Sequence, residues 1–167
     1  MLIFDSSTLI LLAKVELLDV FLGGMSLRVA VPPEVEKECC RHKKTLDSMV
    51  IQRAIDESRI DVVAVKDRKL ISKLELDFSL GAGESAAIVL AVARQASLLG
   101  IDDKSGINAC KFMGIPFTTA VNILIGCREK GLLSRSEALT RLVRLAKYGR
   151  YKGLILEDAK ARLEMEK

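Results

Sequence analysis

The 167-residue chain contains no tryptophan, and aromatic residues make up only 4% of it. A core without large rings must be aliphatic, from Leu, Ile, Val and Ala, and that composition suits helices packed on a sheet. Histidine occurs once, at His42. The four cysteines, Cys39, Cys40, Cys110 and Cys127, show no CxxC spacing. A structural zinc site is therefore not expected, and the thiols read as buried or semi-buried groups in a reducing compartment. The sequence also lacks a P-loop and a GxGxxG fingerprint, which argues against nucleotide-cofactor enzymes. No run of about 20 uninterrupted apolar residues suggests a membrane span. The opening MLIFDSSTLILLAK has no basic leader and is interrupted by Asp5, so a signal peptide is not expected and a cytoplasmic location is.

What is present is a chain that is 50% hydrophobic, enough to bury a core in one domain. Apolar runs alternate with helical patterns. Strands are expected at Leu2 to Phe4, Leu27 to Val31, Ile60 to Val65, Leu98 to Ile101 and Pro116 to Thr118. Helices are expected over Leu9 to Val15, Leu17 to Leu22, Pro33 to Cys40, Leu46 to Ser58, Leu70 to Leu76, Ser85 to Ala96, Ser105 to Met113, Val121 to Lys130, Ser134 to Ala146 and Leu154 to Glu166. Gly81 to Glu84 reads as a turn opening the most apolar helix, and Ser134 with Glu137 reads as a capping box. Strand–helix alternation of this kind predicts a parallel sheet covered on both faces. The domain boundaries expected are a core over residues 1–132 and a C-terminal helical extension over 133–167.

The acids carry the chemistry. In open parallel sheets, sites lie beyond the carboxyl ends of the strands. Asp5 follows the first strand, and Asp102 and Asp103 follow a later one. Glu84 lies in the first turn of the helix after the glycine turn, and Glu38 near the end of a short helix after the second strand. Each has a bland explanation as a cap, a partner of the helix dipole or a surface acid. Jointly they fall at the same edge of the sheet. Clustered carboxylates repel one another and call for a cation, and an all-oxygen donor set suits Mg²⁺ or Mn²⁺. Water activation and leaving-group stabilisation at a phosphodiester is the chemistry such a site would support.

In order and spacing these segments resemble the PIN-domain superfamily, which includes the VapC-like toxins. IFDSSTLILLAK resembles its opening strand and acid, VPPEVEKE its second acidic block, LGAGESAAIVLA its glycine-turn block, LLGIDDKSGINAC its Asp-pair block and GIPFTTAVNILI the segment after it. The resemblance covers about Met1 to Lys130. It implies a three-layer α/β/α fold around a mainly parallel sheet of four to five strands. It also implies a metal-dependent endoribonuclease that acts on RNA, in many members as a toxin held by a small antitoxin, and often as a homodimer. Carried onto this chain, it assigns catalysis to Asp5, Glu38, Glu84 and Asp103, and metal binding to Asp5, Glu84, Asp102 and Asp103. Ser6, Thr118 and Thr119 would supply hydroxyls to a ligand carboxylate or to substrate. The arginine that usually follows the Asp pair is missing, with Ile107 near its place, and Thr119 stands where glycine is frequent.

The net charge is +4, and basic residues crowd the region after Arg128. Arg141, Arg144, Lys147 and Arg150 read as a phosphate-backbone track beside the catalytic edge, flanked by Tyr148 and Tyr151 as stacking groups. The alternative is an ordinary solvated helix face. A haloacid-dehalogenase-type phosphatase needs a second aspartate two residues after the first, where this chain has Ser7. A receiver domain carries its acidic pair after the first strand rather than late. The remaining rival is a PIN-like scaffold that binds RNA or protein without catalysis.

Overall fold

A computed structural model describes residues 1–41 and 44–165. Five short strands form one sheet: β1 (Leu2–Phe4), β2 (Val29–Val31), β3 (Asp61–Val62), β4 (Leu98–Gly100) and β5 (Phe117–Thr118). Every pairing is parallel, and the order is β3-β2-β1-β4-β5. The chain thus winds outward from β1 in one direction, then returns to the other side of β1 for β4. That reversal leaves a crevice between the carboxyl ends of β1 and β4, the place where open α/β sheets hold their ligands.

Ten helices are described: α1 (Ser6–Lys14), α2 (Leu18–Gly24), α3 (Pro33–Cys40), α4 (Leu46–Asp56), α5 (Arg68–Phe78), α6 (Ala82–Ala93), α7 (Lys104–Met113), α8 (Ala120–Glu129), α9 (Arg135–Tyr148) and α10 (Gly153–Glu164). Helix α6 packs directly on β1 and β4, with α5 and α7 beside it. Its buried side chains run almost without a break from Ser85 to Ala91, as expected of a helix pressed against a sheet. Helices α1, α2 and α8 cover the other face, and α9 and α10 lie outside against α8. The result is the three-layer α/β/α arrangement.

Boundaries differ from the sequence expectation where burial does not require pairing. The strand expected over Ile60 to Val65 pairs only at Asp61–Val62, because Ile60 and Val65 are buried by loop packing instead. The helix expected to start at Ser85 begins at Ala82, with Gly81 as its N-cap, so Glu84 lies in its first turn. His42 and the expected helix end at Glu166 fall outside the described residues.

Close approach at the sheet centre fixes one glycine. Gly100 lies opposite Phe4 in the register, and a Cβ there would stand 2.5 Å from Phe4 Cε1. Phe4 is fully buried and packs edge-on against Phe21, with 6.0 Å between ring centroids, so the ring has nowhere to go. Gly100→Ala is expected to destabilise the fold by about 1–3 kcal/mol through overpacking. Urea unfolding checks this, and an unchanged midpoint would mean that the Phe4 ring yields.

Candidate active site

Asp5 and the Asp102–Asp103 pair flank the crevice where the strand order reverses. The Asp5 N–H donates to Gly100 O at 3.0 Å, which locks the end of β1 to the end of β4. Asp5 is fully buried. Its Oδ1 accepts from the Thr8 N–H at 2.8 Å, and its Oδ2 accepts from the Ser7 hydroxyl at 2.6 Å. Burial, reinforced by the charge of Asp102, pushes its pKa up to about 7. Burial likewise raises the pKa of Asp102. Asp102 Oδ2 accepts from the Ala120 N–H at 2.9 Å, and its Oδ1 accepts from the Tyr151 hydroxyl at 2.5 Å.

A second group lies at the mouth of the same crevice. Glu38 reaches from α3 to the N-terminus of α6, where its Oε1 accepts from the Gly83 N–H at 2.9 Å. Its Oε2 accepts from the Ser6 hydroxyl. Glu84 turns one oxygen to the Gly81 N–H at 3.0 Å, capping the helix beyond the dipole role expected of an acid in its first turn. Burial raises its pKa, and the charges of Asp103 and Glu38 add to the rise. Asp103 caps α7, with Oδ1 accepting from the Ser105 and Gly106 N–H groups at 2.7 and 3.2 Å. Among the described residues, Glu84 Oε1 and Asp103 Oδ2 make no hydrogen bond.

Two subgroups therefore meet: a buried pair, Asp5 with Asp102, and a more open trio of Glu38, Glu84 and Asp103. Among the described residues no lysine or arginine forms an ion pair with any of the five. Asp19, Glu34, Asp61 and Glu129 elsewhere all have arginine partners. Among the described residues the negative charge is met by N–H and O–H dipoles. Thr8 Oγ1 is buried between the sheet and α1 and has no hydrogen-bond partner. It is near enough to lower the pKa of both Asp5 and Asp102, yet neither carboxylate meets it at bonding geometry.

As they stand, no three Asp, Glu, His or Cys side chains among the described residues form a ready metal-holding group. Asp5, Glu38 and Asp102 each have both oxygens turned to protein donors. The donor chemistry nevertheless fits a hard divalent cation, being all carboxylate oxygen, uncompensated and beside an unsatisfied hydroxyl.

The hydroxyl candidates separate. Ser6 joins the site through Glu38. Thr119 instead caps α8, its Oγ1 accepting from the Asn122 N–H at 3.4 Å. Thr118 is buried on the sheet face away from α6. It lines a cavity of about 160 Å³ with Leu2, Phe21 and Ile123.

The basic candidates separate too. Arg144 donates to Lys14 O at 2.7 Å and pairs with Glu16 at 2.9 Å, and Arg141 reaches Glu16 O at 3.4 Å. Both therefore sit at the C-terminal end of α1. That helix has nine residues and is capped at its start by Asp5, so they stand about 13 Å along it from Asp5. Cations at that end satisfy the last carbonyls of α1 and its dipole. Lys147 lies over the Tyr148 ring, 5.8 Å from its centroid. Arg150 is exposed and precedes Tyr151, whose hydroxyl reaches Asp102.

Sequence reasoning missed Tyr151 as a site residue. The sequence suggests a stacking group, whereas its ring is half-buried and its hydroxyl holds Asp102.

A doubly wound parallel sheet with carboxylates near its switch point defines a three-layer α/β/α protein with an acidic crevice. The chain belongs to the PIN-domain family: a family model described as PIN domain matches residues 1–162. That match runs through α9 and nearly all of α10, across the boundary expected at residue 132. No curated protein matches the chain. Among the described residues no helix is long and apolar enough to cross a membrane.

Proposed function

We propose that the chain is a metal-dependent endoribonuclease. The observation that carries this is the convergence of five carboxylates from four chain segments at the switch-point crevice, with no cation among the described side chains to balance them. Asp5, Glu84 and Asp103 would hold Mg²⁺ or Mn²⁺, with Asp103 Oδ2 and Glu84 Oε1 the oxygens that need break no existing bond. A bound divalent ion supplies Lewis acidity and a hydroxide source at neutral pH. Glu38, held by Ser6 and the α6 N-terminus, is placed to orient a water for attack in line with the departing 3′ oxygen. That attack leaves a 5′ phosphate. Arg150 and the exposed Lys104, one residue beyond Asp103, would meet the RNA backbone. Action as a toxin with a small antitoxin partner, a homodimeric state and a cytoplasmic location belong to the same proposal and rest on the family resemblance.

The rival, a silent scaffold that binds RNA or protein, has one observation on its side: the acids are already largely satisfied by protein donors. Labelled RNA incubated with Mg²⁺, Mn²⁺ or EDTA separates the two. Cleavage with either metal that EDTA stops, and that Asp103→Asn loses, is the expected result. Metal binding without cleavage across varied RNAs would favour a narrow substrate. Neither binding nor cleavage would favour the scaffold.

A further inference from the structure

Asp102 differs from its neighbour in one respect. Asp103 keeps an oxygen free toward the crevice, whereas both oxygens of Asp102 are taken, one by the first N–H of α8 and one by Tyr151. Tyr151 belongs to the short link between α9 and α10, 49 residues further along the chain. The link is shaped for this contact. A Cβ at Gly149 would lie 2.7 Å from Tyr151 Cδ2 and 3.0 Å from Leu145 O, so only glycine lets the ring fold back over the end of α9. Helices α9 and α10 pack on α8, whose first N–H holds the other oxygen of the same carboxylate.

We propose that Tyr151 is a positioning residue of the acid cluster, and that through it the α9–α10 pair is a working part of the site rather than an appendage. Asp102 is the anchor, clamped from two directions. Its clamping fixes the peptide that presents Asp103 one residue later and holds Asp102 beside Asp5. The inference rests on the metal-site reading above, and it concerns the ion's environment before any reaction occurs. Outer groups that orient carboxylate ligands typically change metal affinity by about 10- to 100-fold when removed.

The chain offers its own probe, since it has no tryptophan and only two tyrosines, Tyr148 and Tyr151. Mn²⁺ binding to the full chain is measured by calorimetry for the wild type, Tyr151→Phe and Tyr148→Phe, and Mg²⁺ binding likewise for Tyr148→Phe. In Tyr148→Phe the remaining tyrosine emission, from Tyr151 alone, is followed during a Mg²⁺ titration. About tenfold weaker Mn²⁺ binding in Tyr151→Phe is expected, with wild-type affinity in Tyr148→Phe. The Tyr151 emission should change with a midpoint equal to the calorimetric Mg²⁺ midpoint. Wild-type affinity in Tyr151→Phe, or an emission indifferent to Mg²⁺, overturns the proposal, because a mere structural tie would not sense the ion. The emission arm leaves the tie intact, so it decides even if Tyr151→Phe fails to fold. Absence of Mn²⁺ binding by the wild type would instead remove the metal-site reading itself, and this inference with it.

Discussion

Asp5→Asn is expected to make the metal-free protein more stable at pH 8 while abolishing RNA cleavage. Asp5 is fully buried and its pKa is raised from 3.8 to about 7, burial being the main cause. In the unfolded chain it titrates near the ordinary value. Between roughly pH 4 and 7 the native state therefore binds more protons than the unfolded one, so stability falls as pH rises through that window and levels off above it. The full shift corresponds to something on the order of 4 kcal/mol. Asparagine keeps the N-cap, with its oxygen for the Thr8 N–H and its amide for Ser7, and carries no charge. Differential scanning calorimetry should show the variant melting several degrees above the wild type at pH 8, with the gap closing near pH 4. Saturating Mg²⁺ should reverse the order, by stabilising only the chain that binds it. A variant that melts at or below the wild type at pH 8 without metal would show that Asp5 carries no uncompensated charge.

Gly83→Ala should also leave the fold intact and disable the site, by sterics rather than by removing a charge. A Cβ at residue 83 would lie 2.7 Å from Glu38 Cδ and 2.8 Å from Glu38 Oε1. The obstacle is the tip of a flexible side chain, so the backbone need not move. Alanine is also a better helix former than glycine, with a smaller gain here in the first turn of α6 than in a helix interior. The carboxylate itself must leave the α6 N-terminus and give up the Gly83 N–H and the Ser6 hydroxyl. A loss of about 10- to 100-fold in cleavage, with an unchanged or higher melting temperature, is expected. If Gly83→Ala cuts RNA as fast as the wild type, then the docking of Glu38 on α6 has no part in the chemistry.

How much of this was legible in the sequence depended on the range of the interactions involved. Asp5 and the Asp102–Asp103 pair were readable because each ends an apolar run, and the end of a buried parallel strand has a fixed place relative to the switch point. Glu84 was readable from its glycine turn, although its start-of-helix geometry shifted by three residues. For the basic stripe, periodicity shows that Arg141 and Arg144 share a face. It does not show whether that face meets solvent or, as here, the last carbonyls of α1. Thr118 and Thr119 sit next to each other, yet strand pleat and helix cap send them to different jobs, and neither is visible without the register. Tyr151 was invisible for the plainest reason: its partner is 49 residues away, and only the packing of α9 and α10 on α8 brings them together. Cys110 and Cys127, by contrast, behave as anticipated, as buried thiols whose pKa burial lifts to about 11.

The strand order also has a consequence for how the molecule is made. β1 occupies the middle of the sheet, so one of its edges pairs with β2 and the other must wait for β4, which leaves the ribosome about 95 residues later. Throughout that interval Leu2, Ile3 and Phe4, all buried in the finished protein, present an open backbone edge. An unpaired apolar strand is a template for the wrong partner, whether another nascent chain or a segment of its own. Slowing translation between residues 31 and 98 should therefore lower the soluble yield, while slowing it after residue 118 should not.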